Sequence, residues 1–113
     1  MNRDEVNAIC AALPGATASD PGAGDLDSWK VGGKMFACFG SKWTGVSVKT
    51  DSIDTAQMLI DAGVGQKAAY FHRSWIYLPE ETDIEEVRHR LLTSYRIIRA
   101  SLPKKVQAGL AEA

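Results

Sequence analysis

The segment of residues 27–50 constrains the fold most, because its apolar residues recur in the short pattern of strands. DSWKVG, KMFACFG and TGVSVKT are rich in β-branched and aromatic residues, and glycine-containing stretches separate them. Short runs of this composition between glycine turns are typical of consecutive antiparallel strands. The segment therefore predicts three strands joined by two hairpins, with SKWT at the tip of the second hairpin.

Helical patterns flank these strands. Asn2 and Glu5 form a predicted capping box ahead of apolar residues at helical spacing, and Pro14-Gly15 ends that helix. Residues 14–26 are rich in glycine, proline, alanine and aspartate, so they predict a loop. After the strands, Asp51 or Ser52 is the predicted cap of a second helix, which ends before Gly63.

The C-terminal half continues the alternation. AAYFHRSWIYLP predicts one or two further strands, and Thr82 with Glu85 predicts the capping box of a last long helix. The order helix, strands, helix, strands, helix predicts a single α+β domain over residues 1–113. We expect an antiparallel meander sheet of about five strands with helices packed on one face. Its predicted core comprises Val6, Ile9, Leu13, Phe36, Val48, Leu59, Ile76, Leu91, Tyr95 and Ile98.

The net charge of −1 is small, but the charges are unevenly distributed. Five of the 14 acidic residues fall within residues 80–86, and six of the 13 basic residues fall within residues 88–105. The helix dipole favours acids at the start of the last helix and bases at its end. Arg88, Arg96 and Arg99 also share one flank of that helix, so two interpretations stay open: a solvated helix face, or a positive strip that continues into Lys104 and Lys105.

Trp43 lies at the predicted hairpin tip, where a large apolar ring is hard to bury. Either its ring folds back over a neighbouring strand, or the tip is a binding element in which Lys42 contacts phosphate and Trp43 stacks on bases. Lys34 and Lys49 on the flanking strands would extend the charge of that tip.

No catalytic constellation or metal-ligand spacing appears in the chain. Cys10 and Cys38 lie among apolar neighbours and predict buried thiols, and the two histidines match no ligand pattern. We therefore expect no enzymatic activity and no metal, nucleotide or organic cofactor. No membrane span or signal-peptide core is evident, which favours the cytoplasm.

Several motifs together resemble the MmcQ/YjbR family of small bacterial proteins. They are LPGAT (13–17), WKVGGKMFA (29–37), GVSVKT (45–50), the tryptophan of SWIYL (Trp75) and SYRIIRASLPKK (94–105). The resemblance implies a frataxin-like (CyaY-like) α+β fold and a DNA-binding function. The residues that we expect to contact nucleic acid are Lys42, Trp43, Arg73, Arg96, Arg99, Lys104 and Lys105.

A second function stays open beside DNA binding. The alternative is a non-enzymatic domain that binds a protein or a small ligand, in a groove between the sheet and the Gly/Pro-rich loop, around Trp29 and Trp75. A continuous positive strip joining the hairpin tip to the last helix favours the first function. A deep apolar pocket with convergent polar groups favours the second.

Overall fold

The predicted alternation of helix, strands, helix, strands and helix is present, with one further strand and one further short helix. The computed structural model describes residues 1–19, 27–40 and 45–110. Its elements are α1 (Arg3–Ala11), β1 (Ala16–Ala18), β2 (Ser28–Val31), β3 (Lys34–Cys38), β4 (Val46–Lys49), α2 (Ile53–Asp61), β5 (Gln66–Lys67), β6 (Trp75–Leu78), α3 (Ile84–Ser101) and α4 (Lys104–Ala108). None of these helices is both long and apolar enough to cross a membrane.

The strands form one antiparallel sheet in the order β1-β2-β3-β4-β6-β5. The predicted α+β class is confirmed, and the sheet has six strands where we expected about five. The additional strand is β1, which lies inside the segment predicted to be a loop. Its Ala-Thr-Ala sequence has weak strand propensity. Pairing with β2, in the register Ala16↔Val31 and Ala18↔Trp29, supplies the hydrogen bonds that the sequence alone does not reveal.

The two faces of the sheet differ in what covers them. Val48 and Ile76 are paired across β4 and β6, and both lie in the core under the helices. Their neighbours Lys49 and Trp75 are also paired and point to the opposite face, because successive strand residues alternate. We call this opposite side the open face.

A bulge in β3 turns two consecutive residues toward the helices. Trp29 pairs with Ala37 and Lys30 pairs with Met35, so Phe36 is the extra residue on β3. Phe36 and Ala37 are both fully buried in the core. The Ser94 hydroxyl of α3 donates to the Phe36 carbonyl at 2.6 Å and accepts from the Lys49 N–H at 2.9 Å. This one side chain thereby satisfies two backbone groups beside the bulge.

The predicted core and caps are largely confirmed. Of the ten predicted core residues, eight are buried, while Ile9 and Leu13 are partly buried and pack against the core. The Asn2–Glu5 capping box forms, and Ser52 caps α2.

The predicted start of the last helix is wrong by one residue. Asp83, and not Thr82, is the N-cap of α3, because its carboxylate reaches the Glu85 N–H at 3.0 Å. After Pro103 the chain forms the short helix α4, which the sequence did not predict.

Candidate functional site

Acidic side chains gather where α1 and α3 begin. The Met1 ammonium donates to the Glu80 carbonyl at 2.8 Å, so the start of α1 lies beside the loop that leads into α3. That loop and the first turn of α3 carry five carboxylates. The Arg3 guanidinium reaches the Gly40 carbonyl at 3.3 Å, so the chain just after β3 lies here too. We call this region the acidic end.

Basic side chains gather where α3 finishes. Gly32, in the turn between β2 and β3, has a φ of +57°, and a Cβ there would lie 2.4 Å from Leu102 Cδ1 and 3.2 Å from Val106 Cγ1. The turn therefore packs directly on the end of α3 and on α4, and only glycine permits that approach. Lys34, the exposed first residue of β3, is brought beside α4 by this contact. We define the basic end by five residues: Lys34, Arg96, Arg99, Lys104 and Lys105.

Arg99 has a structural task within the basic end. Its guanidinium donates to the Tyr95 hydroxyl at 2.9 Å and to the Pro14 carbonyl at 3.4 Å. The Tyr95 hydroxyl in turn donates to the same carbonyl at 2.5 Å. Arg99 is therefore half-buried and ties α3 to the chain after α1, whereas Arg96 is exposed.

The ion pairs lie away from the basic end. Across residues 1–19, 27–40 and 45–110, the salt bridges join Arg3 to Asp27, Arg88 to Glu85, and Arg90 to Glu86. None of these three bridges includes Lys34, Lys104 or Lys105. The exposed ammonium groups of these lysines give the basic end a positive field.

The continuous positive strip that would favour DNA binding begins at the hairpin tip. Lys42 and Trp43 lie outside the described residues. The residues that flank them, Gly40 and Gly45, lie near the acidic end: Gly40 contacts Arg3, and a Cβ on Gly45 would lie 2.3 Å from the Leu78 carbonyl. Of the two lysines expected to extend the tip, Lys34 belongs to the basic end.

Lys49 and Arg73 lie in other parts of the fold. The Lys49 ammonium hydrogen-bonds the Ser74 hydroxyl, which also lies 2.8 Å from His72 Nδ1. Arg73 is exposed at the start of β6, where it lines a cavity of about 340 Å³ with Ile53 and Gln57 of α2. Arg73 is thus on the β5–β6 side of the sheet, apart from α4 at the β2–β3 turn.

A larger cavity lies on the open face, with a volume of about 650 Å³. Cys38 and Ser47, paired across β3 and β4, form its floor together with Tyr77 of β6. Its far wall is the chain of residues 67–71. Phe71 holds that wall in place by stacking on Trp75, with ring centroids 4.8 Å apart and ring planes 26° apart. We call this site the open-face cavity.

The predicted groove around Trp29 and Trp75 is wrong. The Trp29 indole N–H donates to Asn7 of α1 at 2.9 Å, so this ring lies under the helices. Trp75 stacks on Phe71 at the open face. The sheet separates the two rings, because their strands present them on opposite sides.

The thiols are suited to packing rather than chemistry. Both cysteines are free and buried, as predicted. Burial raises the pKa of Cys10 to about 12, and burial together with Asp27 raises the pKa of Cys38. Both thiols therefore stay protonated at neutral pH, which makes them poor nucleophiles and ligands. Within the described residues, no three His, Cys, Asp or Glu side chains come together as a metal site.

Sequence reasoning missed Lys67 and Tyr70 at the open-face cavity, and it assigned Lys34 to the hairpin tip instead of the basic end. Consecutive hairpin turns alternate between the two ends of the strands, and Lys34 follows the first predicted turn, so the sequence pattern could have predicted its separation from the second turn. Tyr70 carried no comparable signal, since tyrosine has no preference for a φ of 71°.

Comparison with known proteins supports the resemblance seen in the motifs. The crystal structure of Deinococcus radiodurans protein DR2400, a DUF419 domain, is similar to this chain with a TM-score of 0.82. The match covers 96% of this chain and 86% of that chain at 18% sequence identity, so it shows a shared fold. No curated protein matches this sequence. A profile of the YjbR family matches residues 11–97, which is more than half of the sequence. The chain therefore belongs to the YjbR family.

Proposed function

We propose that this protein binds nucleic acid through its basic end, weakly and without sequence preference. The observation that carries the proposal is the separation of charge. Five carboxylates precede or begin α3, while Lys34, Arg96, Arg99, Lys104 and Lys105 gather where it finishes. A phosphate backbone is drawn to such a one-sided positive surface even when the net charge of the protein is close to zero.

The basic end is built for phosphates rather than for base edges. Its residues come from a turn, the last part of α3 and the short helix α4, and none of these elements projects as a separate recognition helix. Lysine and arginine contacts to phosphate fix a protein on a duplex but carry no sequence information. Affinity should therefore come mainly from the release of counterions. The protein acts on the nucleic acid only by binding it, with no enzymatic step and no cofactor.

The test is fluorescence anisotropy with labelled duplex and single-stranded oligonucleotides over a series of salt concentrations. With about three to four phosphates neutralised, log affinity should fall against log salt with a slope of roughly −3 to −4 for duplex DNA. Lys104→Gln with Lys105→Gln should flatten that slope by about 1.8, because each lost phosphate contact contributes about 0.9.

A second double variant controls for net charge. Lys67→Gln with Arg88→Gln removes the same charge from β5 and from the acidic half of α3. We expect this variant to keep the slope of the parent protein. Equal flattening by both variants would refute a localised site. No binding at about 50 mM salt and high micromolar protein would refute nucleic-acid binding altogether.

A further inference from the structure

The open-face cavity has the size and the lining of a small-molecule site. Its volume of about 650 Å³ falls within the roughly 300–1,000 Å³ that ligand pockets occupy. Four aromatic side chains contribute to its walls: Phe39, Tyr70, Phe71 and Tyr77. Aromatic walls favour a flat apolar ligand that stacks against them.

The floor of the cavity is uncharged. The Cys38 thiol stays protonated, because burial and the neighbouring Asp27 raise its pKa. The Tyr77 phenol also stays neutral, since burial is the main cause that raises its pKa. A charged group placed on this floor would lose its hydration without a compensating ion, so the inner part of the ligand should be apolar.

The rim of the cavity carries a single sign of charge. Lys67 is the charged side chain among the described residues of the lining, and it is exposed. Lys67 pairs with Ile76 from the edge strand β5 and also lines the neighbouring cavity against α2, so this long side chain lies at the sheet edge between the two cavities. A ligand with an apolar body on the floor would place an anionic group against this lysine.

Tyr70 supplies an independent sign of function. Its φ of 71° is left-handed, and it is the only non-glycine residue with a positive φ in the described chain. Its ring is fully exposed at 106% of the reference area. A bulky residue in this conformation is strained, and strained residues that persist cluster at ligand sites. The ring therefore stands at the mouth of the cavity, positioned to cover an occupant.

We propose that the open-face cavity binds a small planar aromatic carboxylate, with its ring system between Phe71 and Tyr77 and its carboxylate at Lys67. This site is separate from the basic end. It lies across β3, β4 and β6 on the open face, whereas α4 packs at the β2–β3 turn. The two proposals can therefore fail independently.

The test is an NMR titration of the ¹⁵N-labelled protein with 2-naphthoate and, separately, with its neutral analogue 2-naphthamide. We expect saturable shifts at the amides of Cys38, Ser47 and Tyr77, with a Kd for 2-naphthoate of about 1 mM or below. The carboxylate should bind about 2- to 5-fold more tightly than the amide, which is the range for an exposed ion pair. Lys67→Gln should remove that preference and leave the binding of the amide unchanged.

Two variants separate binding from folding. Tyr70→Gly should weaken 2-naphthoate binding while the urea midpoint of unfolding stays equal or rises, because glycine relieves the strained φ. Lys104→Gln with Lys105→Gln should leave binding unchanged. Shifts that do not saturate by about 10 mM would overturn the proposal. It would also be overturned by shifts outside the cavity, or by a carboxylate preference that survives in Lys67→Gln.

Discussion

Replacing Ser94 with alanine should destabilise the protein more than its small change in volume suggests. The hydroxyl is fully buried, donates to the Phe36 carbonyl at 2.6 Å and accepts from the Lys49 N–H at 2.9 Å. The Phe36 carbonyl lies at the bulge between β2 and β3, and the Lys49 N–H follows Val48, which pairs with Ala37 of β3. Alanine would leave each of them without its partner under α3.

The size of the effect follows from the two orphaned groups. A buried donor or acceptor left unsatisfied costs about 1–3 kcal/mol, so the pair should cost about 2–6 kcal/mol. Alanine fills nearly the same space as serine, so the cavity left behind adds little to this cost. In a domain whose total stability is about 5–15 kcal/mol, this loss should lower Tm by roughly 8–24 °C.

The assay is urea unfolding followed by tryptophan fluorescence and circular dichroism, with hydrogen exchange of the Lys49 amide as a local readout. The midpoint should fall with an unchanged m-value, and the Lys49 amide should exchange faster than in the parent protein. Ser101→Ala is the matched control, since its hydroxyl bonds the Ile98 carbonyl within its own helix at 2.6 Å and the residue is exposed. That variant should change stability by less than about 0.5 kcal/mol. A loss below about 1 kcal/mol for Ser94→Ala would refute the reasoning.

Three further outcomes can be measured on the same protein. Gly45→Ala should lower the free energy of unfolding in urea by at least about 2 kcal/mol, because the new Cβ would lie 2.4 Å from the Tyr77 hydroxyl oxygen. Gly33→Ala should cost only about 1 kcal/mol, because its φ of +82° is unfavourable for alanine but no atom lies within 4 Å of the new Cβ. The loss of stability at alkaline pH should depend on the ionisation of Cys10, whose pKa is raised from 9.0 to about 12. The folded state holds this proton more tightly than the unfolded state, so stability is full below pH 9 and falls by up to about 1.4 kcal/mol per pH unit between pH 9 and 12. Cys10→Ala should show a shallower fall, and an identical pH profile would contradict the assignment. Tyr95→Phe should lower the free energy of unfolding by about 1–2 kcal/mol, because the Pro14 carbonyl loses its phenolic donor; an unchanged urea midpoint would count against that bond.

Features that depend on neighbours along the chain were predictable from the sequence. The Asn2–Glu5 box, the Ser52 cap and the left-handed Gly63 after α2 each depend on residues within one helical turn. The apolar stripe of α3 likewise follows from spacing, and its residues Leu91 and Tyr95 are fully buried.

Features that depend on contacts between distant segments were decided by the tertiary structure. Ala16–Ala18 became a strand because β2 offered it a free edge, against the weak propensity of its own residues. The hydrogen bonds of Ser94 to the sheet could not be predicted, since its partners Phe36 and Lys49 are 58 and 45 residues away along the chain.

The candidate sites show the same division. The sequence by itself determined that basic residues crowd the end of α3, because that is a matter of position along the chain. Only the tertiary structure decided that Lys34 joins them, through the contact of Gly32 with Leu102. The open-face cavity has no sequence signature at all. Its wall is a short connecting segment, held over the sheet by the stacking of Phe71 on Trp75, and the positive φ of Tyr70 matches no preference of tyrosine.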